Sequence, residues 1–317
     1  MKALITGISG QDGFYLAHEL NNRGDEVWGL VQPSSNPVMG SERDRVEKDL
    51  PFVNVVLGDL TDFASLRQVF QIQPDEIYHL GAISTPVAGE STPELMMQVN
   101  TLGTLRLLEL IRGTRIRLLF AGSDSAFGVS KPSQTDQTPL RPDTLYGVSK
   151  AASMMLVQAY REQYRVFACN AILFNHTSPR QSHFFLPRKV AIAAARVELG
   201  TREEILTLGN LENRRDWSHA EDVVRAMCMI LEHKKPDDYC VGSGKSSSVR
   251  NLCRLAFEAV NRDYKKYVVG VAGPPEQYRP KADINKLKRI GWEPRVKFRD
   301  LVASLVEDVI EREGGGV

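Results

Sequence analysis

Tyr146 and Lys150 bracket the stretch Tyr146-Gly147-Val148-Ser149-Lys150. On a helix, a spacing of four puts both side chains on one face. An ammonium beside a phenol favours the phenolate, so Tyr146 could take or return a hydroxyl proton near neutral pH. Ser123 stands upstream at the end of an apolar run and could hydrogen-bond the same oxygen. That trio fits hydride transfer between a sugar C–OH and a nicotinamide.

A second constellation lies at the N-terminus. Gly7, Gly10 and Gly13 recur every third residue in Gly7-Ile8-Ser9-Gly10-Gln11-Asp12-Gly13, directly after the apolar run Lys2 to Thr6. Glycines there allow a tight turn and let a pyrophosphate approach a helix N-terminus, where free N–H groups favour negative charge. The second apolar run ends in Leu30-Val31-Gln32-Pro33-Ser34-Ser35. An acid usually holds the ribose diol of NAD at this point, and none is present. The gap leaves room for a 2′-phosphate, but no arginine stands beside it, and Arg43 and Arg45 come later. On the residues alone, NAD and NADP both remain open.

These groups must be positioned by a scaffold, and the chain supplies a regular one. Short apolar runs at 26–31, 52–57, 76–80, 117–121 and 166–174 alternate with helical patterns at 10–22, 64–70, 94–112 and 146–164. That alternation predicts an α/β fold, a Rossmann-type doubly wound parallel sheet with its ligand crevice at the carboxyl ends of the strands. After residue 175 the rhythm changes to helices at 187–199, 219–233, 249–261 and 299–312 between longer loops. We expect a smaller, partly interleaved C-terminal substrate-binding lobe. The dinucleotide domain would take residues 1–174 plus about 215–243, and the lobe about 175–214 plus 244–317.

Composition narrows the function classes. The 317 residues are 42% hydrophobic and 25% charged, which excludes a fibrous or disordered chain. A net charge of +1 gives no basic excess for nucleic acid. No stretch approaches 18 apolar residues, and the N-terminus turns polar too early for a signal peptide, so no membrane partner is expected. Cys169, Cys228, Cys240 and Cys253 form no CxxC pair, and the six histidines show no ligand spacing. We expect buried, reduced thiols, a cytoplasmic location and no metal.

With these motifs in view, the chain resembles the extended short-chain dehydrogenase/reductase superfamily, and within it the GDP-mannose 4,6-dehydratase family. The resemblance spans nearly the whole length. Its most specific stretches are Asn175-His176-Thr177-Ser178-Pro179-Arg180, Arg215-Asp216-Trp217 and Tyr278-Arg279-Pro280. Weaker matches are Gly58-Asp59-Leu60-Thr61-Asp62 and Ile77-Tyr78-His79-Leu80.

The resemblance implies a role for each matching position. Tyr146 would open oxidation at C4 of a nucleotide-activated hexose, with Lys150 and Ser123 in support. The cofactor would be NADP or NAD, with NADP preferred. It would lie along Gly7, Ile8, Gly10, Gln11, Asp12, Gly13, Ser34, Asp59, Leu60, Leu80, Ala82, Ser84, Asn175 and His176. The sugar nucleotide, expected to be GDP-linked, would meet Ser84, Asn175, Arg180, Arg188, Lys189, Arg215 and Arg279. A homodimer or homotetramer is implied, packed through the helices near 94–112 and 147–164. Met96, Leu105, Leu108, Met154, Met155 and Val157 are the candidate contacts.

Three departures bear on the chemistry. The family's strand end reads Thr-Ser-Glu, with Glu removing the C5 proton, whereas this chain reads Ser123-Asp124-Ser125. If the strand continued, Asp124 would point away from the face that Ser125 presents. The family's Arg pair after the second strand is Gln32-Pro33, and the acid expected after Pro280 is replaced by Lys281-Ala282. The leading expectation is a lyase of the 4,6-dehydratase type with an atypical acid/base position at Ser125. The alternative is a 4-keto reductase or epimerase without dehydration. A silent nucleotide-sugar binder is a third reading, opposed by the retained Ser123, Tyr146 and Lys150.

Overall fold

The computed structural model describes residues 1–33, 42–84, 91–128, 133–201, 205–271 and 281–314. Seven parallel strands form its central sheet: β1 (Lys2–Thr6), β2 (Glu26–Val31), β3 (Asn54–Leu57), β4 (Glu76–His79), β5 (Arg117–Ser123), β6 (Phe167–Leu173) and β7 (Asp238–Val241). Their order is β7-β6-β5-β4-β1-β2-β3. The direction of winding reverses between β1 and β4, which is where a doubly wound sheet opens a ligand crevice. β4, β5 and β6 are buried almost throughout, as strands covered on both faces must be.

Helices cover both faces. Those that bear on the site are α1 (Gln11–Asn22), α2 (Glu42–Asp49), α3 (Phe63–Val69), α4 (Gly103–Ile111), α5 (Leu145–Tyr164), α6 (Leu186–Glu198), α7 (Ala220–Glu232), α8 (Val249–Glu258) and α9 (Phe298–Gly314). A π-helical turn at Met97–Leu102 runs straight into α4. The 94–112 period therefore marks one rod with a widened turn inside it. Thr144 caps α5 by accepting a hydrogen bond from Gly147 N–H, so the helix begins one residue before Tyr146.

The buried side chains fall into two clusters. The larger surrounds the sheet and includes Leu4, Ile5, Phe120, Ile172 and Val241. The smaller joins α6, α8 and α9 through residues such as Val190, Phe257 and Leu305. The seventh strand, Asp238–Val241, carries Cys240 and lies beyond the apolar runs predicted from sequence. Ala282, Ile284, Leu287 and Trp292 pack into the sheet's cluster, although the sequence reading gave 244–317 wholly to the smaller lobe. All four cysteines are buried and unbonded. Among the described residues no helix is long and apolar enough to cross a membrane. None of their His, Cys, Asp and Glu side chains forms a metal-holding group of three or more.

Candidate active site

A cleft of about 1170 Å³ runs across the carboxyl ends of the strands and under the smaller lobe. One wall is the glycine turn between β1 and α1. Gly7 has a φ of +76°, and a Cβ there would sit 2.8 Å from Gly81 N. Gly13 is equally constrained, since its Cβ would come within 2.4 Å of Gly7 O. The first α1 hydrogen bond is donated by Phe14 N–H to Gly10 O, leaving the amides of Gln11, Asp12 and Gly13 ahead of the helical ladder. Gly7, Gly10, Gln11, Asp12 and Gly13 all border the cleft. These bare turns and leading amides fit a dinucleotide pyrophosphate.

Behind that wall a buried polar chain fixes the geometry. Gly81 N–H donates to Thr6 Oγ1, which lies 2.7 Å from His79 Nδ1. His79 Nε2 lies 3.1 Å from Thr104 Oγ1, whose hydroxyl donates to Asn100 O. Burial pushes His79 down to about 3, so it is neutral, and the chain runs consistently with its Nε2–H donating. Asn100 sits in the π-helical turn. Its side chain accepts from Ile83 N–H, donates to Ile83 O and donates to Ser149 Oγ, joining the loop after β4 to α5. Sequence reasoning missed this residue, because a lone Asn in an apolar helical period carries no signal.

The trio predicted from sequence is assembled. Ser123 ends β5, and Tyr146 and Lys150 share one face of α5 across the cleft wall. Lys150 is 3% exposed, its Nζ donates to Ala121 O at 2.8 Å and lies 5.9 Å from the Tyr146 ring centre. Burial lowers Lys150 to about 8, against a partial pull upward from Asp12. Burial lifts Tyr146 to about 12; a hydrogen bond with Ser123 pulls it down and the charge of Asp124 pushes it up. Burial of both groups therefore works against the phenolate that the Lys150 ammonium was expected to favour.

The strand does not continue past Ser123. Asp124–Ala126 forms a 3₁₀ turn capped by Ser123 Oγ, which accepts from Ser125 N–H at 3.2 Å. Strand alternation thus does not apply, and Asp124 and Ser125 both line the cleft. Gly147 holds the turn close to α5, since a Cβ there would sit 2.5 Å from Ser125 O.

His176 and Asp12 meet across the cleft floor at 2.8 Å. Burial alone would lower His176, but the charge and hydrogen bond of Asp12 hold it up at about 9, so the pair is ionised at neutral pH. Beside it, Ser178 Oγ donates to Gln11 Oε1 at 2.8 Å.

Asp59, Leu60, Leu80, Ala82, Ser84, Asn175, Arg180 and Arg215 also line the cleft. Arg180 lies 3.8 Å above the Phe14 ring and pairs with Asp49 at 2.5 Å. Ile8 does not line it: the side chain is fully buried and packs beneath Gly29 of β2. The resemblance pointed Arg188 and Lys189 at the nucleotide, but the structure puts neither in the cleft. Arg188 is buried, pairing with Asp308 of α9 at 2.9 Å and donating to Leu305 O. Lys189, next on α6, is exposed outside the cleft. Ser34 and Arg279 lie outside the described residues. Of the proposed contact residues, Met96, Leu108, Met154 and Val157 are buried within the chain, whereas Met155 is 58% exposed. The cleft also takes in side chains given no role from the sequence, among them Ser9 and Trp217 within recognised motifs and Glu42 and Phe184 outside them.

A doubly wound sheet, a glycine turn over a helix N-terminus and a Ser–Tyr–Lys trio at one cleft define a nicotinamide-dependent enzyme of the extended short-chain dehydrogenase/reductase class. A family model described as GDP-mannose 4,6 dehydratase matches residues 4–305. The chain is 38% identical to GDP-mannose 4,6 dehydratase 1 of Arabidopsis thaliana, covering 98% of this chain and 90% of that one. It is 36% identical to the GDP-mannose 4,6-dehydratase of Yersinia enterocolitica serotype O:8, covering 96% and 92%. A solved UDP-glucose 4-epimerase from Thermus thermophilus in complex with NAD superposes at a TM-score of 0.81, with 26% identity and both chains fully covered. The chain belongs to the GDP-mannose 4,6-dehydratase family.

Proposed function

We propose that the protein is a nucleotide-sugar 4,6-dehydratase, acting on a GDP-linked hexose and using Asp124 where the family's glutamate is missing. The observation that carries this reading is the 3₁₀ turn at Asp124–Ala126, which brings a carboxylate to the cleft beside Tyr146. Ser123, Tyr146 and Lys150 supply the C4 proton chemistry, and the family membership supports the elimination that follows.

A bound nicotinamide dinucleotide would supply the hydride acceptor and later donor. Gly7, Gly10 and Gly13 would hold its pyrophosphate, with Asp59 and Leu60 towards its adenine. Tyr146 removes the proton of the C4 hydroxyl as C4 is oxidised. The C4 ketone acidifies the C5 hydrogen, and Asp124 takes that proton. The same carboxyl delivers a proton to the C6 hydroxyl, which leaves as water as the C5–C6 double bond forms. Arg180 and Arg215 would grip the diphosphate, a bidentate task suited to guanidinium.

Leu95, Leu145, Val148 and Met155 are exposed along the helices flanking the cleft wall, and we assign them to a homodimer or homotetramer contact. Four unbonded cysteines support a reducing, cytoplasmic setting. Residues 175–214, with α8 and α9, form the substrate lobe in this reading.

The test is incubation with GDP-, UDP- and dTDP-hexoses while product masses are recorded. Loss of about 18 Da, one water, from a GDP-hexose is the expected result. No mass change, or a change of about 2 Da, one hydride and one proton, with added cofactor, would replace the lyase by an epimerase or a reductase.

A further inference from the structure

The adenosine end of the cleft is framed by Leu30, Gln32, Glu42, Asp59, Leu60 and Thr61. Its polar side chains are already arranged. Gln32 Nε2 donates to Asp59 Oδ2 at 2.8 Å, and Thr61 donates to Asp59 Oδ1 from both its N–H and its hydroxyl. Burial would raise Asp59, but the hydrogen bonds from Thr61 and Gln32 hold it below the usual carboxylate range, so it is charged at neutral pH. Opposite it, Glu42 opens α2, and its Oε1 accepts the hydroxyl of Ser9 from the glycine turn. That contact carries an acid from eleven residues beyond the end of β2 back to the cleft.

The nearest cation, Arg106, lowers Asp59 by its charge, but its guanidinium is already committed to Leu60 O, Gln98 O and Gln98 Oε1. Among the described residues, the lysines and arginines lining the cleft are Lys150, Arg180 and Arg215. Lys150 lies against Ala121 O, Arg180 is paired with Asp49, and Arg215 sits on a short strand paired with Ser247. Arg43 pairs with Glu47 on the exposed side of α2, and Arg45 is exposed. The sequence from Gln32 to Ser41 contains neither lysine nor arginine. A 2′-phosphate would bring close to two negative charges to a rim that already holds two carboxylates. A free ribose diol would instead offer two O–H donors to a carboxylate acceptor.

We infer that Glu42 is the ribose-recognition residue and that it makes the protein selective for NAD over NADP. The acid that a strand-end reading finds missing is supplied from the first turn of α2 and aimed by Ser9. This inference rests on the nicotinamide-dependent reading of the site.

The test uses the purified full chain without sugar, with affinities for NAD⁺ and NADP⁺ measured separately by calorimetry. The wild type should bind NAD⁺ at least tenfold more tightly, about the value of one hydrogen bond to a charged group. Glu42→Gln should weaken NAD⁺ by about 10–100-fold on the same basis and leave NADP⁺ unchanged or improved. Gln32→Arg, away from α2, should improve NADP⁺ and guards against a misfolded Glu42 variant. Equal or tighter NADP⁺ binding by the wild type overturns the inference, as does a Glu42→Gln protein with an unchanged ratio. Failure to bind either dinucleotide would instead overturn the nicotinamide reading, and this inference with it.

Discussion

His176 Nε2 lies 2.8 Å from Asp12 Oδ2 and 3.0 Å from Oδ1, joining the first turn of α1 to the segment that follows β6. The two contacts make one buried imidazolium–carboxylate pair between the glycine turn and the entrance to the smaller lobe.

That pair sets a pH window for stability. His176 is raised from 6.5 to about 9, so its contribution is complete below pH 6.5 and lost as pH rises through 9. Asp12 is lowered from 3.8, so its contribution is present above 3.8 and lost as pH falls through its folded value. His176→Gln should therefore flatten the fall in Tm between about pH 6.5 and 9 relative to wild type. Lys150 titrates near 8 in both proteins and cancels in the difference. Parallel Tm curves across that range would show that the pair contributes nothing.

Tyr146→Phe removes the phenol oxygen that we propose accepts the C4 hydroxyl proton. Turnover should drop by about 10²–10⁴-fold while dinucleotide affinity is retained. Single-turnover rates beside calorimetry separate the two effects. Turnover close to wild type would remove Tyr146 from the chemistry.

Moving a carboxylate by one residue tests the elimination step. Asp124→Asn should abolish exchange of the C5 hydrogen with deuterated water and slow dehydration by about 10²–10⁴-fold. Both residues lie on the same turn, so Asp124→Asn combined with Ser125→Glu should recover part of the exchange. Exchange that survives Asp124→Asn would point to a different base.

Arg188→Leu separates stability from recognition. It removes one of the two cations on Asp308, leaving Arg312, whose Nε lies 2.8 Å from Asp308 Oδ1. Losing that partially buried charged contact should cost about 1.5–3 kcal/mol, which should appear in denaturant unfolding. Sugar-nucleotide affinity of the folded protein should be unchanged. A normal unfolding midpoint with weakened substrate binding would return Arg188 to the site.

Much of this was legible in the residues. Periodicity located six of the seven sheet strands, because each ends in a polar or glycine-bearing stretch that breaks the apolar pattern. Asp238–Val241 escaped because Asp-Tyr-Cys-Val shows neither alternation nor a β-branched run. The Ser123, Tyr146 and Lys150 trio was readable because α5 fixes the spacing of two members. The placement of Asp124 in the cleft was hidden, since alternation presumes a strand and the backbone had already turned. Arg188 misled for a related reason: a charged residue in a specific motif looks like a ligand contact until its buried partner, here over a hundred residues away in α9, is known. Glu42 carried no signal, because its link to Ser9 depends on how α2 folds back over the glycine turn.

The sheet is completed late in the chain. β6 ends at Leu173, and its outer neighbour β7 begins at Asp238, after the chain has built α6 and α7. During synthesis, an N-terminal fragment would therefore present β6 with an unpaired apolar edge until the β7 residues emerge. Such edges template pairing with other chains. A truncation made before Asp238, for expression or for dissecting the lobes, should yield an aggregating product rather than a soluble dinucleotide-binding domain.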